Sequence, residues 1–204
     1  MQDRLNIPPT KSSLLDLKRR LAFLNEGYRL LERKRELLTR LVYEKLADYR
    51  QLNTSTREAM ATAYRWLSIT QMRMGSHRIQ QLAIGMPQAV EANILPRQNM
   101  SVQYPSVEIQ KLPLLPVGIL ATDASLDETR SSFADMIVRA ARLAEVETAL
   151  WRLLEEQRKT QKRVNALKYN VIPRFERTIS YIQATLEEEE RNTLFQLKVL
   201  AGRA

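Results

Sequence analysis

Residues 160–186, TQKRVNALKYNVIPRFERTISYIQATL, decide the fold. Apolar side chains recur at Val164, Leu167, Val171, Ile172, Phe175, Ile179, Ile182 and Leu186, the spacing of one helix face. The stripe is a narrow seam, which asks for a single partner helix rather than a broad core. Pro173 stands inside it. An interior proline removes a backbone hydrogen bond and costs about 3 kcal/mol, so its presence needs a reason. The heptad phase supplies one. Upstream the seam runs through Leu143, Val146, Leu150, Leu153, Gln157, Thr160, Val164, Leu167 and Val171. Downstream it restarts at Ile172, one residue late, and a proline kink is expected to absorb that slip.

The partner helix is legible near the other end of the chain. From Leu14 the a and d positions read Leu14, Leu17, Leu21, Leu24, Tyr28, Leu31, Arg35, Leu38, Val42, Lys45, Tyr49 and Leu52, ten of twelve apolar. Pro8 and Pro9 block a helix before it, and Thr10, Ser12 and Ser13 offer capping hydroxyls, Ser13 with Asp16 in the spacing of a capping box. Residues 53–56, NTST, offer a stop, but Ala59, Met60, Ala63, Trp66 and Leu67 continue the stripe. One helix is therefore expected to about Met74, where Gly75 ends it, a length of about 90 Å. Seven of the thirteen glycines and prolines fall between Gly85 and Gly118. The flanks are rich in Glu, Lys, Arg, Leu and Ala, the composition of long helices.

In the middle, Val90, Ala92 and Ile94 alternate, residues 95–99 read as a turn, and Met100, Val102 and Tyr104 alternate again. A small β-hairpin is expected there, with an alternative register pairing Val102 and Tyr104 with Val107 and Ile109. Pro113, Pro116 and Gly118 make the next stretch irregular, and Ser125 with Glu128 forms a capping box for the second long helix. The expected fold is mainly α: a long antiparallel two-helix coiled coil of N- and C-terminal helices with a hairpin-containing middle. Its segments are 1–84, 85–124 and 125–204, elongated with a thin core. Folding about residue 104 would place residues 24–38 opposite residues 171–186.

The net charge is +9, with surplus cations in residues 11–50 and 152–177. Such charge suits nucleic acid, anionic lipid or an acidic protein surface, and equally a solvated coiled-coil exterior. No apolar run is long enough to span a membrane and no signal-peptide core is present, so a cytoplasmic, peripheral protein is expected. With no cysteine and only His77, thiol chemistry, Ser-His arrangements and metal clusters are not expected. There is no GxxxxGK or GxGxxG to cradle a nucleotide. No catalytic, cofactor or metal site is expected. The acidic run at residues 187–190 reads as a solvated face, followed by apolar Leu194, Phe195, Leu197, Val199 and Leu200 before Gly202.

Two blocks together resemble the D subunit of V/A-type rotary ATPases. The first holds Pro9-Thr10-Lys11, then Leu17, Lys18, Arg20 and Leu21, then Gly27, Leu30, Leu31, Lys34 and Arg35. The second holds residues 163–167 (RVNAL), 172–174 (IPR), Thr178-Ile179, Tyr181-Ile182, and Glu190, Arg191, Phe195, Leu197 and Lys198. The resemblance implies a non-catalytic central rotor shaft of an ion-transporting ATPase or ATP synthase. Its coiled-coil end would enter the ring of A and B subunits, and its middle end would meet a connector subunit of the membrane rotor and the F subunit. Lys11, Lys18, Arg19, Arg20, Arg191, Phe195 and Lys198 would face the ring. The seam would be Leu17, Leu21, Leu24, Tyr28, Leu31, Leu38, Val164, Leu167, Val171, Phe175, Ile179, Ile182 and Leu186, with a kink at Pro173. Other readings of the same pattern are the stalk of a type III export ATPase, which is shorter and lacks a hairpin, and a nucleic-acid-binding coiled coil. Neither nucleic acid nor membrane insertion is expected.

Overall fold

The computed structural model describes residues 4–117 and 122–202; Gly118 lies outside them. The elements are α1 (Lys11–Met74), α2 (Ser76–Ile84), β1 (Val90–Asn99), β2 (Val102–Lys111), α3 (Ala124–Ala166), a π-turn (Leu167–Val171) and α4 (Ile172–Ala201). They form two compact units, residues 1–37 with 157–204, and residues 38–156.

Thr10 starts α1 in the first unit. Its hydroxyl accepts from the Ser13 N–H at 3.2 Å, directly after the proline pair. The cap is therefore Thr10, and Asp16 instead pairs with Arg20 at 2.9 Å. The core is Leu17, Ile179 and Ile182, with Leu14, Leu21, Phe175 and Leu186 packed against it. Leu24, Tyr28, Leu31, Leu167 and Val171 are half-buried and Val164 is buried. Antiparallel pairing follows from Lys11 meeting Glu190 and Arg35 meeting Gln161. Residues 24–38 thus overlap 171–186 only at their start: the register lies roughly two to four helical turns from that alignment, at or beyond the two turns of latitude the expectation allowed.

A single partner helix does not account for this core. Leu5 and Ile7, ahead of α1, also pack on it, and the Leu5 N–H donates to the Thr178 hydroxyl at 3.0 Å. Thr178 and Ile179 are consecutive and both buried, which two faces of contact on α4 require.

The one-residue slip in the seam is absorbed by the π-turn rather than by the proline. The Ile172 N–H reaches back five residues to the Leu167 carbonyl. One such turn accommodates a single extra residue, so Val171 and Ile172 both stay on the seam side, half-buried. Pro173 falls in the first turn of α4. It therefore removes no hydrogen bond from the interior of either α-helix.

In the second unit, α1 passes residues 53–56 unbroken, with two of their hydroxyls turned back onto the preceding turn and that of Thr56 buried without a partner among the described residues. Thr54 donates to the Arg50 carbonyl and Ser55 to that of Leu52. Gly75, at φ 81°, ends the helix in a conformation that a side chain would disfavour. α3 begins at Ala124, and Ser125 is buried inside it rather than capping it; its hydroxyl donates to Asp123 at 2.6 Å. Here α1 and α3 meet through small residues, with Ala63, Ala134 and Ala149 buried. The Thr70 hydroxyl lies 2.8 Å from that of Thr129 and 2.9 Å from the Ser125 carbonyl.

The hairpin turn is Met100-Ser101, with φ 50° and 65°. Both expected registers therefore give way to one running from Asn99↔Val102 to Val90↔Lys111. Positive φ at two successive residues matches the right-handed twist of the strands, although neither residue is glycine. The prolines explain why this register is tolerated. A two-residue turn is flanked by a hydrogen-bonded pair, and such pairs alternate along the ladder. Pro96 and Pro105 are opposite each other, three pairs on from the bonded Asn99↔Val102, at a non-bonded position that needs no N–H. β2 packs on α3: Ser106 bonds Glu145 at 3.1 Å and Lys111 bonds Asp135 at 2.6 Å. Val102 joins Leu38 and Leu153 in the core, with Leu41 and Val42 beside them. β1 is the outer strand; alternation located it, but Ile94 is 70% exposed.

Candidate functional site

Among the described residues no three His, Cys, Asp or Glu side chains gather to hold a metal. One concavity is an open groove along α1 between Ala22, Glu26, Arg29 and Arg33, and another lies between the β-hairpin, at Ile94, Pro96 and Tyr104, and Arg152 of α3.

α4 outruns its partner. α1 begins at Lys11, whose ammonium lies 2.8 Å from Glu190; residues 187–202 are all exposed. The carboxylate raises the pKa of Lys11 through this hydrogen bond and charge, and the ammonium lowers that of Glu190. Both groups are in solvent, so the pair marks alignment more than stability. Beyond it stand Leu194 (61% exposed), Phe195 (69%), Leu197 and Leu200 (66%), with Val199 between them. At 100° per residue these five point to all sides of the helix. Apolar side chains on several faces of one helix, with Gln196 and Lys198 among them, ask for contacts on more than one side.

Of the residues expected to face a partner, Arg191, Phe195 and Lys198 lie on this uncovered end, and all three are exposed. Arg191 is 3.9 Å and 3.7 Å from Glu187 and Glu188 on its own helix. Lys198, in the last turn, complements the helix dipole. Lys11, Lys18, Arg19 and Arg20 lie exposed on the first turns of α1. Arg20 is held by Asp16, whereas Lys18 and Arg19 have no ion pair among the described residues. Leu15, Phe23 and Leu30, three exposed apolar residues of α1, escaped the sequence reading. Their signal was present: they fall outside the a and d positions of an otherwise regular seam. All thirteen seam residues are buried or half-buried. His77 is exposed on α2, and no helix is long and apolar enough to cross a membrane among the described residues.

These features define a mainly α protein of antiparallel paired helices, with a small hairpin and an uncovered apolar helix end. The sequence profile of the family of ATP synthase D subunits matches residues 13–202. The V-type ATP synthase D subunit of Thermotoga neapolitana is 35% identical over 197 residues, covering 96% of this chain and 97% of that one. The A-type ATP synthase D subunits of Pyrococcus furiosus and Pyrococcus horikoshii are each 35% identical, over 97% of this chain and 94% of theirs. The chain belongs to the family of ATP synthase D subunits.

Proposed function

We propose that this chain is the non-catalytic central rotor shaft of a V/A-type rotary ATPase, coupling ATP hydrolysis or synthesis in a ring of A and B subunits to ion transport. The observation that carries the reading is the end of α4, which runs exposed beyond the start of α1 with Leu194, Phe195, Leu197, Val199 and Leu200 spread around the helix. A ring that surrounds the end would satisfy all its faces together, as a flat partner would not. Lys11, Lys18, Arg19, Arg20, Arg191, Phe195 and Lys198 then face the ring. Segments 1–84 and 125–204 form the shaft, and 85–124 lies toward the connector subunit of the membrane rotor and the F subunit, on the cytoplasmic side.

An asymmetric helix pair inside a threefold ring gives three identical sites three different contacts. Differential contact is what biases such sites toward different nucleotide affinities. The shaft therefore needs no catalytic group of its own.

The reading requires rotation, and the lack of cysteine makes that testable. Arg191→Cys introduces the only thiol of this chain. Cysteines scanned over the facing ring surface, within about 7 Å between Cα atoms, supply a disulfide partner. The cross-linked complex is expected to lose sustained ATP hydrolysis and to regain it on reduction. A fully cross-linked complex that hydrolyses ATP at its reduced-state rate would identify the chain as a static scaffold.

A further inference from the structure

The segment ahead of α1 does not trail into solvent. Between Lys11, level with Glu190, and Leu5, level with Thr178, the chain doubles back along α4. Six extended residues cover about 20 Å, and the twelve helical residues from Glu190 to Thr178 rise about 18 Å, so the segment lies stretched along the helix pair. Leu5 and Ile7 pack on Leu17, Ile179 and Ile182, and the Arg4 guanidinium sits 4.5 Å over the Tyr181 ring. Thr178, 1% exposed, accepts from the Leu5 N–H and donates to the Arg174 carbonyl at 2.7 Å.

What ties the segment down is nonetheless slight. The Ile7 and Thr10 N–H groups bond within the segment, to the Leu5 and Pro8 carbonyls, and two prolines have no N–H. Among the described residues a single backbone hydrogen bond crosses to α4. The helices beneath keep all their own bonds when the segment moves.

We propose that residues 4–9 form a strap that closes over the seam of α1 and α4 and lifts as a unit while the two helices stay paired. Lifting uncovers a groove on α4 around Thr178 and Ile179 and wets one side of the Leu17–Ile182 cluster. Local openings of this kind come from segments with few buried contacts and few hydrogen bonds to the rest of the fold. The prolines define its hinge: they keep the strap extended, so it swings about the start of α1 rather than joining the helix.

The test uses the full-length chain with one introduced thiol at a time. In Thr178→Cys the sulfur lies under the strap, and its rate of reaction with a small disulfide reagent reads the open fraction. In Thr160→Cys the sulfur is as buried, in the same unit, but not under the strap. Adding Leu5→Ser and Ile7→Ser removes the two apolar anchors. The strap reading expects labelling at position 178 to accelerate about tenfold or more, labelling at 160 to stay constant, and helical circular dichroism to be unchanged. Equal rates at 178 in the two backgrounds would overturn it. So would parallel acceleration at 160, or loss of helicity, since either makes the segment an integral part of the helix pair.

Discussion

The two units bury the same helical hairpin in different ways. In residues 1–37 with 157–204 the core is aliphatic, Leu17 with Ile179 and Ile182, and an extended strap covers it. In residues 38–156 Leu38, Leu153 and Val102 of the β-hairpin form an aliphatic cluster, and Ala63, Ala134, Ala149, Thr70 and Thr129 are buried besides. Small residues let a side chain of one helix reach the backbone of the other, as Thr70 does at Ser125. The difference teaches that two helices alone bury too little: each unit recruits a third element, an extended segment in one and a β-hairpin in the other.

Buried threonines break the comparison most directly. Thr70→Val removes the hydroxyl that meets both Thr129 and the Ser125 carbonyl; Thr129 keeps its own bond to that carbonyl, so the loss should be that of one hydrogen bond, about 0.5–1.5 kcal/mol. Thr160, equally buried in the first unit, has no hydrogen-bond partner for its hydroxyl. Thr160→Val should be neutral or stabilising, because it removes a buried polar atom that nothing satisfies. Urea unfolding of the two variants checks the contrast, and equal losses would refute it.

The π-turn gives the next effect. Pro173 sits in the first turn of α4, so Pro173→Ala should change stability by less than about 1 kcal/mol, well short of the penalty of a mid-helix proline. Deleting the exposed Asn170 should remove the π-turn and bring the two halves of the seam into one heptad phase, with helicity retained. Amide exchange across residues 164–175 reads both. A π-turn that vanished in Pro173→Ala would assign the slip to the proline after all.

The smallest effect is electrostatic and belongs to the second unit. Asp123 has a lowered pKa because the Ser125 hydroxyl and then Arg73 hydrogen-bond its carboxylate. A group whose folded pKa is lowered adds stability above its unfolded value and loses it as pH falls through the folded one. The melting temperatures of the wild type and Asp123→Asn should therefore differ modestly near neutrality and converge as the pH falls below the ordinary carboxylate range. A gap that persists in acid would make the contact one of packing rather than charge.

Which side of each helix is buried was legible in the residues themselves, as was the slip between Val171 and Ile172, because helical periodicity reports a face wherever it is sustained. The apolar run from Leu194 to Leu200 was legible too, and only the structure showed that no helix covers it. Register was not legible. A seam of leucines and isoleucines accepts several alignments a turn apart, and the strand register was equally hidden, since its turn falls at Met100 and Ser101, two residues that carry no sequence mark of positive φ. Nor was the strap, since Leu5 and Ile7 are too few to show a period, and an extended segment is defined by what it lies on. The sequence alone determined the helices, their faces and the strand-forming middle, all local properties of spacing and side-chain type. Tertiary structure decided the alignment of the helices, the π-turn that carries the seam across its slip, and the cover over the seam, because each depends on residues far apart in the chain fitting one another.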